Sequence, residues 1–307
     1  MEWQPGNAGD HARGDAMMED GPTYHILGVP LRSGSFIPGN EDDASAYRDV
    51  DLVERLMDAG IRAVDEGDVD VPSYLPHHAV PPIKNWPGPR IVWDRIGESI
   101  APHLRQSGHI PLLIGADCSV VAGTTQELMR TCGEDVHVIY VDGDMDGAPP
   151  RADRCMSAAY MSLWLATQES PFRDGPNLDP SQVTVLGWSE DQGSEQTGLR
   201  TLSLEEVRRL GLEVAARQTL RSIPGSAPVL VHFDVDVLHP EEMAAAYFPH
   251  EDGLSLAECR ELLGAILADP RIRLIEVTEY ASLRDPDHSN VCAIIELLAE
   301  GLRRPNL

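Results

Sequence analysis

The sequence predicts a single α/β domain in which a mostly parallel β-sheet carries helices on both faces. From Tyr24 onward, the 307-residue chain repeats a short apolar run, a Gly-rich loop and a helical segment. The apolar runs are rich in Val, Ile and Leu, which is typical of parallel strands buried on both faces. No internal repeat and no shift in composition marks a domain boundary. We therefore expect one domain over residues 23–307, preceded by a flexible leader over residues 1–22, which are rich in Gly, Asp and Met.

The same pattern places the individual elements. Aliphatic runs predict strands over 24–30, 61–68, 110–114, 136–141, 183–187, 229–236 and 272–279. Apolar residues at helical spacing predict helices over 51–60, 92–108, 120–131, 156–168, 204–223, 255–268 and 287–302. Ser203 provides an N-cap hydroxyl for the helix over 204–223, and the proline-dense segment 72–89 predicts a surface loop. In a parallel sheet of this kind, ligands bind at the carboxyl ends of the strands.

Composition narrows the class of partner. The net charge of −26 argues against nucleic acid and anionic membrane as partners. An acidic surface is compatible with a cationic substrate, and it also simply promotes solubility. The five scattered cysteines do not resemble a disulfide framework, and no apolar stretch approaches the ~20 residues needed to span a bilayer. Because the N-terminal residues lack the basic and apolar regions of a signal peptide, we expect a cytoplasmic protein.

Alternating polar residues follow two of the predicted strands, at the point where each strand ends. They are Asp142, Asp144 and Asp146 after the first strand, and His232, Asp234 and Asp236 at the end of the second. Alternation along a strand directs each set toward one side. Because burying so many like charges is costly without cations, the two sets together predict a metal or cation site rather than two solvated acidic loops.

Four strand ends carry motifs that resemble the ureohydrolase superfamily of arginases, agmatinases and formimidoylglutamases. That superfamily has Gly-Gly-Asp-His-Ser, Asp-Ala-His-x-Asp, Ser-Phe-Asp-x-Asp-x-x-Asp-Pro and a later Glu. The matching segments here are Gly115-Ala-Asp-Cys-Ser119, Asp142-Gly-Asp-Met-Asp146, His232-Phe-Asp-Val-Asp-Val-Leu-His-Pro240 and Glu279. Further similar segments cover nearly the whole chain, including 26–30, 186–190 and 249–255. The resemblance implies a three-layer α/β/α sandwich with a mostly parallel sheet of about eight strands, and a homo-oligomer (trimer or hexamer).

The resemblance also implies a set of metal ligands, and this chain departs from it. In the family, two His and four Asp hold two manganese ions. The four Asp positions match Asp142, Asp146, Asp234 and Asp236, but the two His positions hold Cys118 and Asp144. A further family His, which assists proton transfer near the substrate, falls around Met156, and the Asp before the last Pro of the third motif is His239.

Charge decides how many ions such a site can hold. With five aspartates and a possible thiolate, the site would stay net negative even if it bound two divalent ions. We therefore expect a proton retained on Asp144 or Cys118, one tightly bound ion, or a cation-free site with raised carboxylate pKa values. The family resemblance favours Mn²⁺; oxygen ligands also suit Mg²⁺ and Ca²⁺, whereas a thiolate suits Zn²⁺, Fe²⁺ or Co²⁺.

Two residues near this site have more than one interpretation, and two others have roles that the resemblance implies. Cys118 can be a metal ligand, a low-pKa thiol or a small core residue. His232, on the same face as Asp234 but one pleat deeper, can replace a lost ligand, act as a base, or be a buried His bonded to a backbone carbonyl. By the resemblance, Glu279 accepts a substrate guanidinium and Glu195 is a second acidic residue near the pocket mouth.

Three functions follow as hypotheses. The first is a metal-dependent hydrolase of a C–N bond in a guanidine, amidine or ureido compound, with Asp146 accepting a hydrogen bond from hydroxide, and plain arginine and agmatine being poor substrates. The second is a non-catalytic homologue that binds a small cationic ligand or partner subunits. The third is an enzyme of altered chemistry that acts on a non-guanidine amine in specialised metabolism.

Overall fold

The structure is a computed structural model that describes residues 21–37, 42–189 and 198–303. Its strands are β1 (Thr23–Val29), β2 (Arg62–Asp68), β3 (His109–Gly115), β4 (His137–Val141), β5 (Val183–Leu186), β6 (Arg200–Leu202), β7 (Val229–Asp234) and β8 (Ile272–Thr278). They form one sheet in the order β2-β1-β3-β8-β7-β4-β5-β6, and all neighbouring strands are parallel. The predicted parallel sheet of about eight strands is confirmed. Most of the predicted leader, residues 1–20, lies outside the described residues.

Helices connect the strands on both faces of the sheet. They are α1 (Asp43–Asp49), α2 (Leu52–Asp58), α3 (Gly88–Leu104), α4 (Val120–Cys132), α5 (Ser162–Thr167), α6 (Leu204–Leu210), α7 (Leu212–Ser222), α8 (Leu256–Leu267) and α9 (Ser289–Leu302). Successive strand residues pack on opposite sides: Ile26 belongs to a core with α1, α2 and α6–α9, whereas Leu27 belongs to a core with α3–α5. These two cores confirm the three-layer sandwich.

The structure corrects several predicted elements. The single helix predicted over 204–223 is two helices, because Gly211 adopts a left-handed φ of 89° and ends α6. The helix predicted over 156–168 is helical only from Ser162, after a 3₁₀ turn at Ala159–Met161. Neither the short strand β6 nor helix α1 was predicted from the sequence. Among the described residues, none of the helices has the length and apolar character required to cross a membrane.

The sheet order places distant parts of the chain next to one another. β3, β8, β7 and β4 are consecutive in the sheet, although α4 and further elements separate them along the chain. Because all four are parallel, their carboxyl ends meet at one edge. The acidic motifs predicted from the sequence therefore share that edge.

Candidate metal centre

A cavity of about 330 Å³ opens at the carboxyl ends of these four strands. The predicted site residues that line it are Cys118, Asp142, Asp144, Asp146, Asp234, Asp236 and Glu279. The other lining residues are Phe36, Arg154, Cys155, Met156, Ser157, Ala159, Tyr160 and Phe248. The structure thus gathers the predicted acidic residues around a single volume. The predicted Glu195 lies outside the described residues.

The deeper part of the site, here called the inner group, consists of Cys118, Asp142, His232 and Asp234. Each offers a ligand atom, and these atoms all lie within 4.8 Å of one another. All four residues are buried. The Cys118 Sγ donates to Asp234 Oδ2 at 2.6 Å and lies 3.9 Å from Asp142 Oδ2. This donor set fits a divalent cation, since carboxylates with a thiol or an imidazole are common protein ligands for Mn²⁺, Fe²⁺ and Zn²⁺.

The protonation of Cys118 follows from its surroundings. Burial, followed by the charges of Asp234 and Asp142, raises the pKa of the thiol well above its ordinary value. Without a bound cation, these surroundings oppose the interpretation of Cys118 as a low-pKa thiol. The thiol keeps its proton at neutral pH and therefore adds no charge to the site. A cation bound here would favour the thiolate.

The shallower part of the site, here called the outer group, consists of Asp144, Asp236 and His250. Their ligand atoms also lie within 4.8 Å of one another. The His250 Nε2 is 3.7 Å from Asp236 Oδ2 and 3.8 Å from Asp144 Oδ2. Sequence reasoning missed His250. The only signal was a His within the segment 249–255, one of the segments that resemble the family.

Buried carboxylates dominate the electrostatics of both groups. Burial and then mutual repulsion raise the pKa values of Asp142, Asp146 and Asp234 well above their ordinary value. The same causes raise the pKa of Asp144 to about 6. These shifts show that the charged forms lack sufficient cationic partners within the protein. Cation binding at this site must therefore displace protons and strengthen as pH rises.

Asp146 is held by its own backbone and by a neighbouring strand. It has a left-handed φ of 43°, and its Oδ2 accepts a hydrogen bond from the Tyr140 hydroxyl at 2.7 Å. Its backbone carbonyl accepts from Leu163 N at 2.9 Å. These contacts fix the carboxylate at the cavity wall.

His232 lies beneath the cavity and is not among its lining residues. The ring is fully buried, Nδ1 is 2.7 Å from Glu276 Oε2, and Nε2 is 3.2 Å from Thr278 Oγ1. Its face stacks on Tyr140 with ring centroids 4.1 Å apart. Because Thr278 Oγ1 also lies 3.5 Å from Cys118 Sγ, Thr278 links His232 to Cys118 within the inner group. Of the three interpretations, this geometry favours a buried structural His, although its bond is to a carboxylate.

Glu279 carries an internal partner that sequence reasoning also missed. The buried guanidinium of Arg32 forms an ion pair with Glu279 Oε2 and stacks over the Tyr247 ring at 3.1 Å from its centroid. Burial, partly opposed by Arg32, raises the pKa of Glu279 to about 8. Glu279 also has a left-handed φ of 62°. The guanidinium of Arg32 therefore already contacts Glu279, the carboxylate that the resemblance predicts to bind the guanidinium of a substrate.

Comparisons with known proteins agree with this geometry. The family model described as the arginase family matches residues 22–302. The chain belongs to the arginase family. It is 28% identical over 255 residues to arginase-1 of Oryctolagus cuniculus, covering 76% of this chain and 77% of that protein. The predicted membership of the ureohydrolase superfamily is confirmed.

Solved structures show the same fold. Native arginase from Bacillus caldovelox has a TM-score of 0.78 at 21% identity, with 93% of this chain and 99% of that chain covered. Proclavaminate amidino hydrolase from Streptomyces clavuligerus has a TM-score of 0.71 at 21% identity, with 93% and 92% covered. Family membership supports a guanidino or amidino hydrolase in general and a binuclear metal requirement. The donor sets of the inner and outer groups fit that requirement.

Proposed function

We propose that this arginase-family chain is a metal-dependent hydrolase of a C–N bond in a guanidine, amidine or ureido compound, with Mn²⁺ as the metal. The observation that carries the proposal is the packing of five aspartates and Cys118 around one cavity, with His250 beside Asp144 and Asp236, and with too little internal positive charge. Such a site is stabilised when divalent cations bind. A cytoplasmic location and a homo-oligomer stay predictions.

The residues around the cavity have different roles in the proposed hydrolysis. The inner and outer groups would hold the metal, which when bound would lower the pKa of a water molecule toward neutral pH. Asp146, fixed by Tyr140, accepts a hydrogen bond and so orients the attacking oxygen. Glu279 and the aromatic side chains of Tyr160 and Phe248, which line the cavity, hold the planar group of the substrate.

The lining residues also bear on which substrate binds. Arg32 offsets the charge of Glu279, so a cationic guanidinium gains less from this carboxylate than from an unpaired one. Met156 lines the cavity where the family has a proton-transferring His. Arg154, the single cation among the described lining residues, can pair with a carboxylate of the substrate. The Arg32–Glu279 pair and Met156 support a substrate other than plain arginine or agmatine, whereas Arg154 favours a substrate that carries a carboxylate.

A non-catalytic homologue is the second candidate, and the Arg32–Glu279 ion pair is the observation that favours it. A chain that fills its own guanidinium position has less need of a guanidine substrate. Arg32→Gln separates the candidates by product release. An enzyme limited by this pair should hydrolyse cationic guanidines faster in the variant, whereas a non-catalytic homologue should bind them more tightly and release no product. Circular dichroism must accompany the test, because removing one partner of a buried ion pair destabilises a protein by roughly 3–5 kcal/mol.

The direct test is a substrate panel. Guanidines, amidines and ureido compounds, including arginine and agmatine, are assayed for urea or ammonia release with Mn²⁺, Mg²⁺, Zn²⁺ and Fe²⁺ added separately. Release that is lost in Asp234→Asn but kept in the exposed control Asp58→Asn supports the hydrolase. If nothing is released with any metal while a cationic compound binds, the chain is a binding protein.

A further inference from the structure

We propose that His250 is a metal ligand, and that Asp144, Asp236 and His250 form a second ion site made possible by Gly143. The proposal rests on the metal dependence proposed above. It adds a donor from a loop that carries no ligand in the motifs with which this chain was compared.

The position of the imidazole is the first argument. His250 Nε2 is buried and has no hydrogen-bond partner among the described residues, although its side chain is only 9% exposed. Its distances of 3.7 and 3.8 Å to Asp236 Oδ2 and Asp144 Oδ2 are too long for hydrogen bonds. Two atoms that each lie about 2.1 Å from a common cation are separated by about 3–4 Å. The three side chains are therefore spaced as ligands of one ion.

The backbone orients the two carboxylates toward this position. Asp236 Oδ1 accepts a hydrogen bond from Gly143 N at 3.1 Å, which leaves Oδ2 facing His250. Asp144 N donates to Asp142 Oδ1 at 2.6 Å, which ties the outer group to the inner group. The outer ligands are thus held in place before an ion binds.

Gly143 provides the space for the ring. A Cβ built on Gly143 would lie 2.3 Å from His250 Cδ2 and 2.5 Å from Nε2, closer than real Cβ contacts allow. The resembling motif Asp-Ala-His-x-Asp has Ala at this position and His at the next. In this chain Gly143 and Asp144 occupy those positions, and an imidazole reaches the same place from position 250. The His250 ring can occupy this place only because Gly143 lacks the methyl group that the Ala of the family motif carries.

The charges of the outer group also suit a divalent ion. Asp144 and Asp236 balance a charge of +2, and a neutral imidazole adds a donor without adding charge. Two carboxylates with one imidazole suit Mn²⁺, Fe²⁺ or Co²⁺, whereas the thiol of Cys118 gives the inner group a softer donor set.

A different role for His250 is a resident cation that neutralises the two aspartates. The two roles predict opposite effects of His250→Ala. Loss of a ligand weakens binding of the second ion, whereas loss of a competing cation strengthens it. The sign of the change therefore separates them.

The experiment measures Mn²⁺ per chain and its dissociation constants by titration calorimetry and elemental analysis at fixed pH. We expect His250→Ala to weaken the second ion at least about tenfold while leaving the first nearly unchanged. Gly143→Ala should give the same loss, and the double variant should lose no more than either single variant. His239→Ala, a histidine of the same connection whose ring bonds Glu241 N, is the matched control.

Several outcomes overturn the inference. Unchanged or tighter binding of the second ion in His250→Ala does so, as does a wild-type chain that binds a single ion indifferent to His250. Both leave the proposed hydrolase intact, provided that Asp234→Asn still abolishes substrate turnover. A wild-type chain that binds no Mn²⁺ and releases no product removes both proposals.

Discussion

The inner and outer groups of the candidate metal centre lie side by side but differ in how they obtain their donors. In the inner group a Cys replaces the imidazole of the family motif, and Cys118, Asp142 and Asp234 are at most 2% exposed. In the outer group, Asp144 replaces the second imidazole of the family motifs, and its side chain is 22% exposed. His250 reaches this group from another loop. When a sequence motif loses a ligand, a residue from a different part of the chain can therefore supply a donor of the same kind at the same place.

The largest expected effect comes from the carboxylate nearest to Cys118. Asp234→Asn removes a charge from the inner group and the acceptor of the Cys118 thiol. We expect hydrolysis to fall by at least a hundredfold, about 2.7 kcal/mol or more in transition-state free energy, and the inner ion to be lost. Elemental analysis and the product-release assay measure both, with Asp58→Asn as the exposed control. Full metal content in Asp234→Asn would contradict the assignment of the inner group.

Restoring imidazoles should affect the two groups unequally. Cys118→His should tighten Mn²⁺ binding about tenfold or more, because a neutral imidazole replaces a thiol whose proton is hard to remove. Asp144→His should change Mn²⁺ affinity much less, because His250 already supplies an imidazole to the outer group. Mn²⁺ titrations of the two variants test this ranking, with Cys118→Ser as the control for loss of sulfur. Equal gains in both variants would show that the outer group lacks a functioning imidazole.

The stability of the protein should depend on pH through the outer group. The pKa of Asp144 rises from 3.8 to about 6 on folding, so the folded chain binds more protons than the unfolded chain in that window. The free energy of unfolding should therefore fall as pH rises from about 4 to 6, and Asp144→Asn should flatten this part of the profile. Thermal unfolding with a chelator measures it, and added Mn²⁺ should raise the Tm most at the higher pH. A Tm of the wild type that rises across this window by the same amount as in Asp144→Asn would count against the shift.

A smaller effect is expected from the support of Asp146. Tyr140→Phe removes the hydroxyl that donates to Asp146 Oδ2, at a cost of about 0.5–1.5 kcal/mol. We expect kcat to fall several-fold with little change in the affinity of the outer ion. Steady-state kinetics alongside Mn²⁺ titration separate the two quantities. A loss of the outer ion instead would place Asp146 in the outer group.

Much of this site could be predicted from the sequence because it depends on local patterns. The runs ending at Asp142 and Asp234 identify buried parallel strands, and parallel strands bring their carboxyl ends together. His250 and Arg32 could not be predicted, because each reaches the site through a loop whose path depends on tertiary packing. The break at Gly211 and the strand Arg200–Leu202 were missed for a related reason, since a single glycine or three half-exposed residues carry little periodic signal.

The left-handed backbone at Glu279 has a consequence for how this protein can change. Asp146 and Glu279, with Ala116 at φ 67°, place three side-chain-bearing residues in a region that glycine occupies far more easily. Each such residue costs of order 1 kcal/mol or more, and Glu279 N donates to Ala116 O across two of them. Three of the six described non-glycine residues with positive φ thus lie in or next to the cavity, where the surrounding sheet and its two cores must hold them. Substitution of these residues by glycine should raise the free energy of unfolding and should also loosen the geometry of the site. Variants of this sequence that gain thermal stability at these positions should therefore lose activity.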